Sequence, residues 1–285
     1  MDNADLPNLP SHPCPKHGRL RDVSLRRRTI HRNGTLLIED SALPFARALG
    51  HDYSPNDQFA FPYFGAFTWR VGSFERLVDS NVVLKVRGGE EFFEAHPIAG
   101  TGHASIILTP SPAMLDELRA SAKRGNNDEA PTVAVMNDRD RLNIRHLLSP
   151  AASTLALDEI AIELIAAALR ADSGLAQRTS KLVERAKTIL HERYLEPISL
   201  ECIASRLCVS PVYLTQTFRR QEGVPLCRYQ TRLRLNRALL MLPVHGSITE
   251  VALELGFSSH AHFTAAFKGA FRITPTAYRA SKKLF

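Results

Sequence analysis

Between Thr35 and Met136 the apolar positions fall in short runs: Phe59 to Val71, Asn81 to Val86, Glu91 to Ala95 and Ala104 to Leu108. Gly65, Gly72, Gly88-Gly89, Gly100 and Gly102 break them. Short β-rich runs punctuated in this way predict an all-β sandwich or small barrel. The spacing then becomes helical. Ser111 to Ala122 predicts a helix, Lys123 to Glu129 a polar loop, and Thr154 to Ala171 a stronger helix. In that last helix Leu155, Ile160, Ile162, Leu164, Ile165 and Leu169 crowd most of the circumference, with Asp158 and Glu163 as acids inside it. It must bury itself, against the β region or against its twin in a dimer. Asp172 to Ser180, with Gly174 in the middle, reads as a linker.

Beyond the linker the 3.6-residue period persists almost to the C-terminus. Lys181 to Tyr194 places Leu182, Ala186, Ile189 and Leu190 on one face, and Pro197 stops the helix. One short pattern then occurs twice, about fifty residues apart. The first copy is Ile203, Ala204, Leu207, Val209, Ser210, Leu214, Phe218, and the second is Val251, Ala252, Leu255, Phe257, Ser259, Phe263, Phe267. Each copy reads as an apolar-striped helix, a tight break, a Ser whose oxygen caps the next helix, and a second helix. Ser199 caps the first helix, Glu201 suits its N-terminal dipole, and Pro211 occupies the first position of the next. A connecting helix from Pro225 to Leu242 carries Arg228, Arg232, Arg234 and Arg237, and the second copy begins at Ile248. This is the layout of a helix-turn-helix, whose second helix enters a DNA major groove.

Composition agrees with two domains. The chain has 285 residues and 44% hydrophobic content, enough for a core in each. Its net charge is +7; residues 178–285 hold 17 Lys plus Arg against 7 Asp plus Glu, so this part carries +10 and the rest −3. A basic module joined to a mildly acidic one suits a DNA-binding domain with a separate sensing or assembly domain. No run approaches the roughly 18 apolar residues of a membrane helix, and the N-terminus lacks the basic start of a secretory signal, which predicts a cytoplasmic protein with no membrane partner. Cys14, Cys202, Cys208 and Cys227 lack disulfide spacing and read as reduced packing residues. Residues 1–30, with three Pro before position 14 and the run Arg26-Arg27-Arg28, read as a flexible arm.

The second copy, Val251-Ala252-Leu253-Glu254-Leu255-Gly256-Phe257-Ser258-Ser259 continuing through Phe263, Phe267, Phe271, Thr274, Pro275, Tyr278 and Arg279, resembles the AraC/XylS family of bacterial transcription regulators. The resemblance covers about the last hundred residues. It implies seven helices, with two helix-turn-helix units joined by one long helix and reading grooves about 34 Å apart. The family usually has Gly where this chain has Cys208 and Arg272, so both turns must reach their backbone angles without it. More faintly, Phe61-Pro62-Tyr63-Phe64-Gly65, Val78-Asp79 and His96-Pro97 resemble the cupin-like sensor domain of many members. The implied architecture is α+β with two domains: a cupin-like sensor and dimerisation domain plus helix (31–172), a linker (173–180) and an all-α DNA-binding domain with two helix-turn-helix motifs (181–285). The implied partners are double-stranded DNA, RNA polymerase, a small-molecule effector and a second copy of the chain, with no cofactor.

On the first reading helix, Leu214 and Phe218, with Tyr213 beside them, are expected inward. That leaves Val212, Thr215, Gln216 and Arg219 toward the groove. Gln suits adenine, Thr either base type, and Val a thymine methyl. The second helix offers His260, Ala261, His262, Thr264 and Ala265, a weaker set, which predicts tighter base discrimination by the first motif and shape readout by the second. Phosphate candidates are Ser210, Arg220, Arg237, Ser259, Lys268 and Arg279, with Arg219 also able to serve. For Arg228, Arg232, Arg234 and Arg237, surface ion pairing competes with that role.

Other constellations carry less. His12, Cys14 and His17 sit together in the arm but are broken by prolines, and His96 and His103 read as packed or loop histidines, so no metal site is expected. Gly88-Gly89 is a turn rather than a phosphate loop, and no GxSxG context occurs. The leading reading is a sequence-specific transcription regulator, more an activator than a repressor, and not an enzyme. Its rivals are an architectural or repressor DNA-binding protein, and a DNA-targeted enzyme that would need an activated Cys14.

Overall fold

The computed structural model describes residues 26–43, 50–98, 101–122, 133–171 and 180–283. The first part is built on β1 (Arg26–Arg32), β2 (Leu36–Leu43), β3 (Gly50–Ser54), β4 (Gln58–Val71), β5 (Phe74–Asp79), β6 (Val82–Val86), β7 (Glu90–Ala95), β8 (His103–Pro110) and β9 (Val133–Val135). One layer runs β1-β2-β8-β4-β6-β9, all antiparallel. The long strand β4 serves both layers. Its first half pairs with β6 and β8, and its second half, from Ala66, pairs with β5 and β7, while β3 closes on β7. A register shift between Pro62 and Phe64 bends β4 where it changes partners.

Three helices cover one face: α1 (Pro112–Ser121), α2 (Asp138–Leu147) and α3 (Thr154–Arg170). Leu157, Ala161, Leu164 and Ile165 of α3 join Ile38, Phe61, Ile106 and Leu108 in one core. The apolar helix thus buries its stripe within its own chain, leaving Leu155 and Ile162 outward at 68% and 39% exposure. Trp69, Phe67, Val78 and Leu84 form the core between the layers.

Two local expectations change. Strand β1 takes in Arg26–Ile30, which the sequence assigns to the arm, because it finds a full antiparallel partner in β2 and Arg28 pairs with Asp40 at 3.2 Å. Residues 1–25, with His12, Cys14 and His17, lie outside the described residues, as does the expected linker from 172 to 179. Strand β5 was not legible as a strand, since Arg76 and Asp79 occupy positions that read as solvent-facing yet are 1% and 0% exposed.

The helical part comprises α4 (Lys181–Arg193), α5 (Leu200–Arg206), α6 (Pro211–Glu222), α7 (Leu226–Met241), α8 (Ile248–Glu254), α9 (His260–Phe271) and α10 (Pro275–Lys283). Ser180, Ser199, Ser210, Ser247 and Ser259 each cap a helix through the side-chain oxygen. Two small cores result, and α7 spans both. Leu226, Tyr229 and Leu233 pack with α4, α5 and α6, whereas Leu235, Ala238, Leu239, Met241 and Leu242 pack with α8, α9 and α10.

Both breaks reach the left-handed region. Cys208 has φ 55° and Arg272 φ 62°, which for residues with a Cβ costs about 1–2 kcal/mol each. Gly256 has φ 74°, and a Cβ there would lie 2.1 Å from the Leu195 carbonyl oxygen. Only glycine fits that approach. Cys208 and Cys227 are free and exposed rather than packed as expected; both lie off the buried stripes of their segments.

Candidate nucleic-acid interface

The two helix pairs α5–α6 and α8–α9 have the same build. In α6, Leu214, Thr217, Phe218 and Glu222 point inward. Val212, Gln216, Arg219 and Arg220 are exposed, and Tyr213 joins them at 54% exposure. The expectation that Tyr213 packs inward is therefore corrected: one residue before Leu214 is a rotation of about 100°, which carries the ring off the buried face. In α9, Phe263, Phe267 and Phe271 form an inward aromatic ladder with ring centroids 5.6 and 4.7 Å apart. His260, Ala261, His262, Ala265 and Lys268 are exposed.

Both threonines assigned to the groove turn their hydroxyls back. Thr215 Oγ1 donates to the Pro211 carbonyl at 2.9 Å, and the Thr264 hydroxyl is buried. Each sits at the flank of its helix, and the Thr215 side chain returns to the backbone. His262 is fixed by its Nδ1 contact with Ser258 Oγ at 3.1 Å and by an edge contact with Phe257. Ser210 and Ser259 use their oxygens to accept from Tyr213 N–H and His262 N–H, at the N-termini of the two outward helices.

The arginines separate by what they touch. Arg234 donates to the carbonyls of Tyr194, Glu196 and Gly256 at 2.6, 2.9 and 2.7 Å, and burial lowers its pKa. Arg279 donates to the Gly246 carbonyl at 2.6 Å. Arg237 lies 5.2 Å over the Phe64 ring of the β region. These three tie parts of the fold together. Arg237 and Arg279, taken from sequence as phosphate contacts, each also make a guanidinium contact within the protein.

A polar seam, not legible in the sequence, joins the β region to the helices. Arg76 Nη2 donates to Glu222 Oε1 at 2.9 Å, with the two side chains 1% and 3% exposed, and Lys187 Nζ stands 3.6 Å from the same oxygen. Leu77 N–H donates to Glu184, and Lys187 donates to the Leu77 carbonyl, both at 2.8 Å. Asp79 receives His191 at 2.7 Å and the Tyr229 hydroxyl. Burial alone would raise the Asp79 pKa, but His191, Lys187 and Tyr229 outweigh it and hold the carboxyl below its usual range. Asn236 donates to Ser80 Oγ at 2.6 Å, and Arg141 reaches the Ser80 carbonyl and Asn81 at 3.1 Å each. The side chains of Arg76, Asp79, Ser80 and Asn81 thus each hold a partner, and one contact falls on Glu222, the last residue of α6.

His96 and His103 are packed, the first of the two readings the sequence left open. Glu94, at the end of β7, stands within 3.5 Å of both ring nitrogens. Glu94, which the sequence did not single out, joins the two histidines because β7 and β8 run past the same end of the two layers.

Residues 203–281 match a family model described as a helix-turn-helix domain. The HTH-type transcriptional regulator ArgR of Pseudomonas aeruginosa is 36% identical over 89 residues, 31% of this chain and 27% of that one. The HTH-type transcriptional activator RhaS of Escherichia fergusonii is 30% identical over 133 residues, 46% of this chain and 48% of that one. A transcriptional regulator with an AraC-type DNA-binding domain from Chromobacterium violaceum, known as a crystal structure, is 33% identical, covering 35% of this chain and 91% of that one, with a TM-score of 0.34. The chain spans less than half the length of these two curated relatives. The C-terminal helices thus form a helix-turn-helix domain of the kind carried by transcriptional regulators of the AraC/XylS family.

Proposed function

We propose that the chain is a sequence-specific transcription regulator that reads two adjacent major-groove segments of double-stranded DNA with α6 and α9. The observation that carries this reading is the repeated helix pair, whose second helix in each case buries an apolar stripe and turns a face free of acidic residues outward. On α6 the base-reading set is Val212, Tyr213, Gln216 and Arg219, with Arg220 toward phosphate. On α9 it is His260, Ala261, His262 and Ala265, with Lys268 toward phosphate. Ser210 and Ser259 place helix N-termini, which favour anions, at the ends of both sets. Helix α6 supplies the longer hydrogen-bonding groups and discriminates bases more strongly, while α9 contributes positioning and shape.

The seam supports a second element of the proposal. An effector or a second copy of the chain acting on the β region reaches α6 through Arg76 and Glu222, provided it favours one arrangement of the seam over another. Activation through RNA polymerase, homodimerisation and a cytoplasmic location follow the family resemblance. No helix among the described residues is long and apolar enough to cross a membrane. The reading is tested by comparing affinity for DNA upstream of the chain's own gene with affinity for random DNA of equal length, at one stated salt concentration. A preference of about a thousandfold or more supports specific regulation, and equal affinities favour an architectural protein.

A further inference from the structure

We propose that Glu94, His96 and His103 form a binding site for a first-row divalent transition metal ion of the zinc type, bridging the two layers of the β region.

The first argument is distance. His96 Nε2 and His103 Nδ1 are 2.9 Å apart, and Glu94 Oε1 lies 3.4 Å from the first and 3.5 Å from the second. A circle through three atoms so spaced has a radius of about 1.9 Å, so an ion about 2.05 Å from each sits about 0.8 Å out of their plane. Three vertices of a tetrahedron around zinc bear the same relation to its centre, within about 0.1 Å. The donor set points the same way. Two imidazoles and one carboxylate suit Zn²⁺, Fe²⁺, Ni²⁺ or Cu²⁺, whereas Ca²⁺ and Mg²⁺ require oxygen shells.

The second argument is rigidity. The imidazoles are 2% and 6% exposed, and Phe67 packs on the His103 ring with centroids 4.3 Å apart. His103 pairs with Gly65 of β4, where φ is 70° and a Cβ would fall 2.0 Å from the Gly102 carbonyl oxygen. Strand β4 therefore lies directly against the backbone that carries His103. Glu94 is the open side, at 25% exposure, so the remaining coordination position faces water or a donor atom of a small molecule. Successive β4 residues connect this site to the seam: Gly65 pairs with His103, and Ala66 pairs with Asp79.

The full chain, freed of metal by a chelator and dialysed, is titrated with Co²⁺ alone, read by visible absorption, and then with Zn²⁺ in competition, with the melting temperature followed in parallel. Expected are one Co²⁺ per chain in a low-symmetry, intensely absorbing site, displacement by Zn²⁺, and a saturable rise in Tm. Glu94→Gln keeps the shape and an accepting oxygen, so its metal-free Tm stays near that of the parent while affinity falls roughly tenfold or more. The pair Glu94→Gln/His96→Ala loses the Co²⁺ spectrum. Unchanged stoichiometry and affinity in both variants would place the ion on other histidines and overturn the proposal. So would the lack of saturable binding by the parent chain, leaving the three groups as a hydrogen-bonded cluster.

Discussion

Replacing Arg76 with Met removes the charge from the seam and keeps an apolar stem of similar reach. Glu222 is then left with Lys187, which stands 3.6 Å away and already donates to the Leu77 carbonyl at 2.8 Å. At 3% exposure the carboxylate has almost no access to water. Stranding one partner of a buried pair costs about 3–5 kcal/mol, and the remaining lysine argues for the lower end, about 3 kcal/mol. Glu222→Gln in turn removes the negative charge that faces Arg76. The double variant should lose about 2 kcal/mol less than the sum of the singles, because the second change removes the charge that the first left alone. Urea unfolding gives these values from two probes. Fluorescence of Trp69, the single Trp of the chain, reports the β region, and far-ultraviolet circular dichroism weights the helices. The two transitions should coincide in the parent and separate in Arg76→Met, since the seam couples the parts. A loss below about 1 kcal/mol with additive singles is how an exposed ion pair behaves, and would refute a dry, joined seam.

Gly256→Ala should destabilise the chain by about 3 kcal/mol or more, measured by the same unfolding, because its Cβ meets the Leu195 carbonyl oxygen at 2.1 Å and its φ is positive. Cys208→Gly and Arg272→Gly should each stabilise by about 0.5–1 kcal/mol, with relief of the left-handed strain partly offset by the greater entropy of unfolded glycine; a loss in either would contradict the strain. Asp79 is held below its ordinary range in the fold, so its contribution is present above the unfolded carboxylate pKa near 4 and is lost as pH falls below it. Asp79→Asn should therefore be less stable than the parent at neutral pH, with the gap narrowing on acidification. A gap that stays constant with pH would remove the ionised carboxylate from the account.

The helical part was legible in the sequence because its signals are local. Serine caps, a proline at the first position of α6 and apolar residues four apart each act within one turn, and together they placed α4, α5 and α7 within a residue or two at both ends and gave the starts of α6, α8 and α9. The two strained turns were legible only through the resemblance, which places glycine where this chain has Cys208 and Arg272. The seam was hidden because its partners lie far apart in sequence: Arg76, Asp79 and Ser80 read as surface polar residues until α4, α6 and α7 bury them. The cluster of Glu94, His96 and His103 was hidden by the same kind of long-range pairing. Strands β1, β2, β3, β5 and β9 lacked clear alternation, since several are buried on both sides or carry charges that find partners elsewhere. On the outward faces, rotation about the helix axis placed Val212, Gln216 and Ala265 as expected. Tyr213, Thr215 and Thr264 sit at the flanks, where a difference of one position decides between groove and core.

The central claim is that α6 and α9 read two successive grooves. Footprinting the chain on DNA upstream of its own gene, beside Gln216→Ala and Ala265→Asp, addresses it directly. Two protected segments about one helical turn apart are expected, with Gln216→Ala weakening the first by about 1–3 kcal/mol on specific DNA alone and Ala265→Asp removing the second. A single protected segment, or protection unchanged by both substitutions, would contradict it.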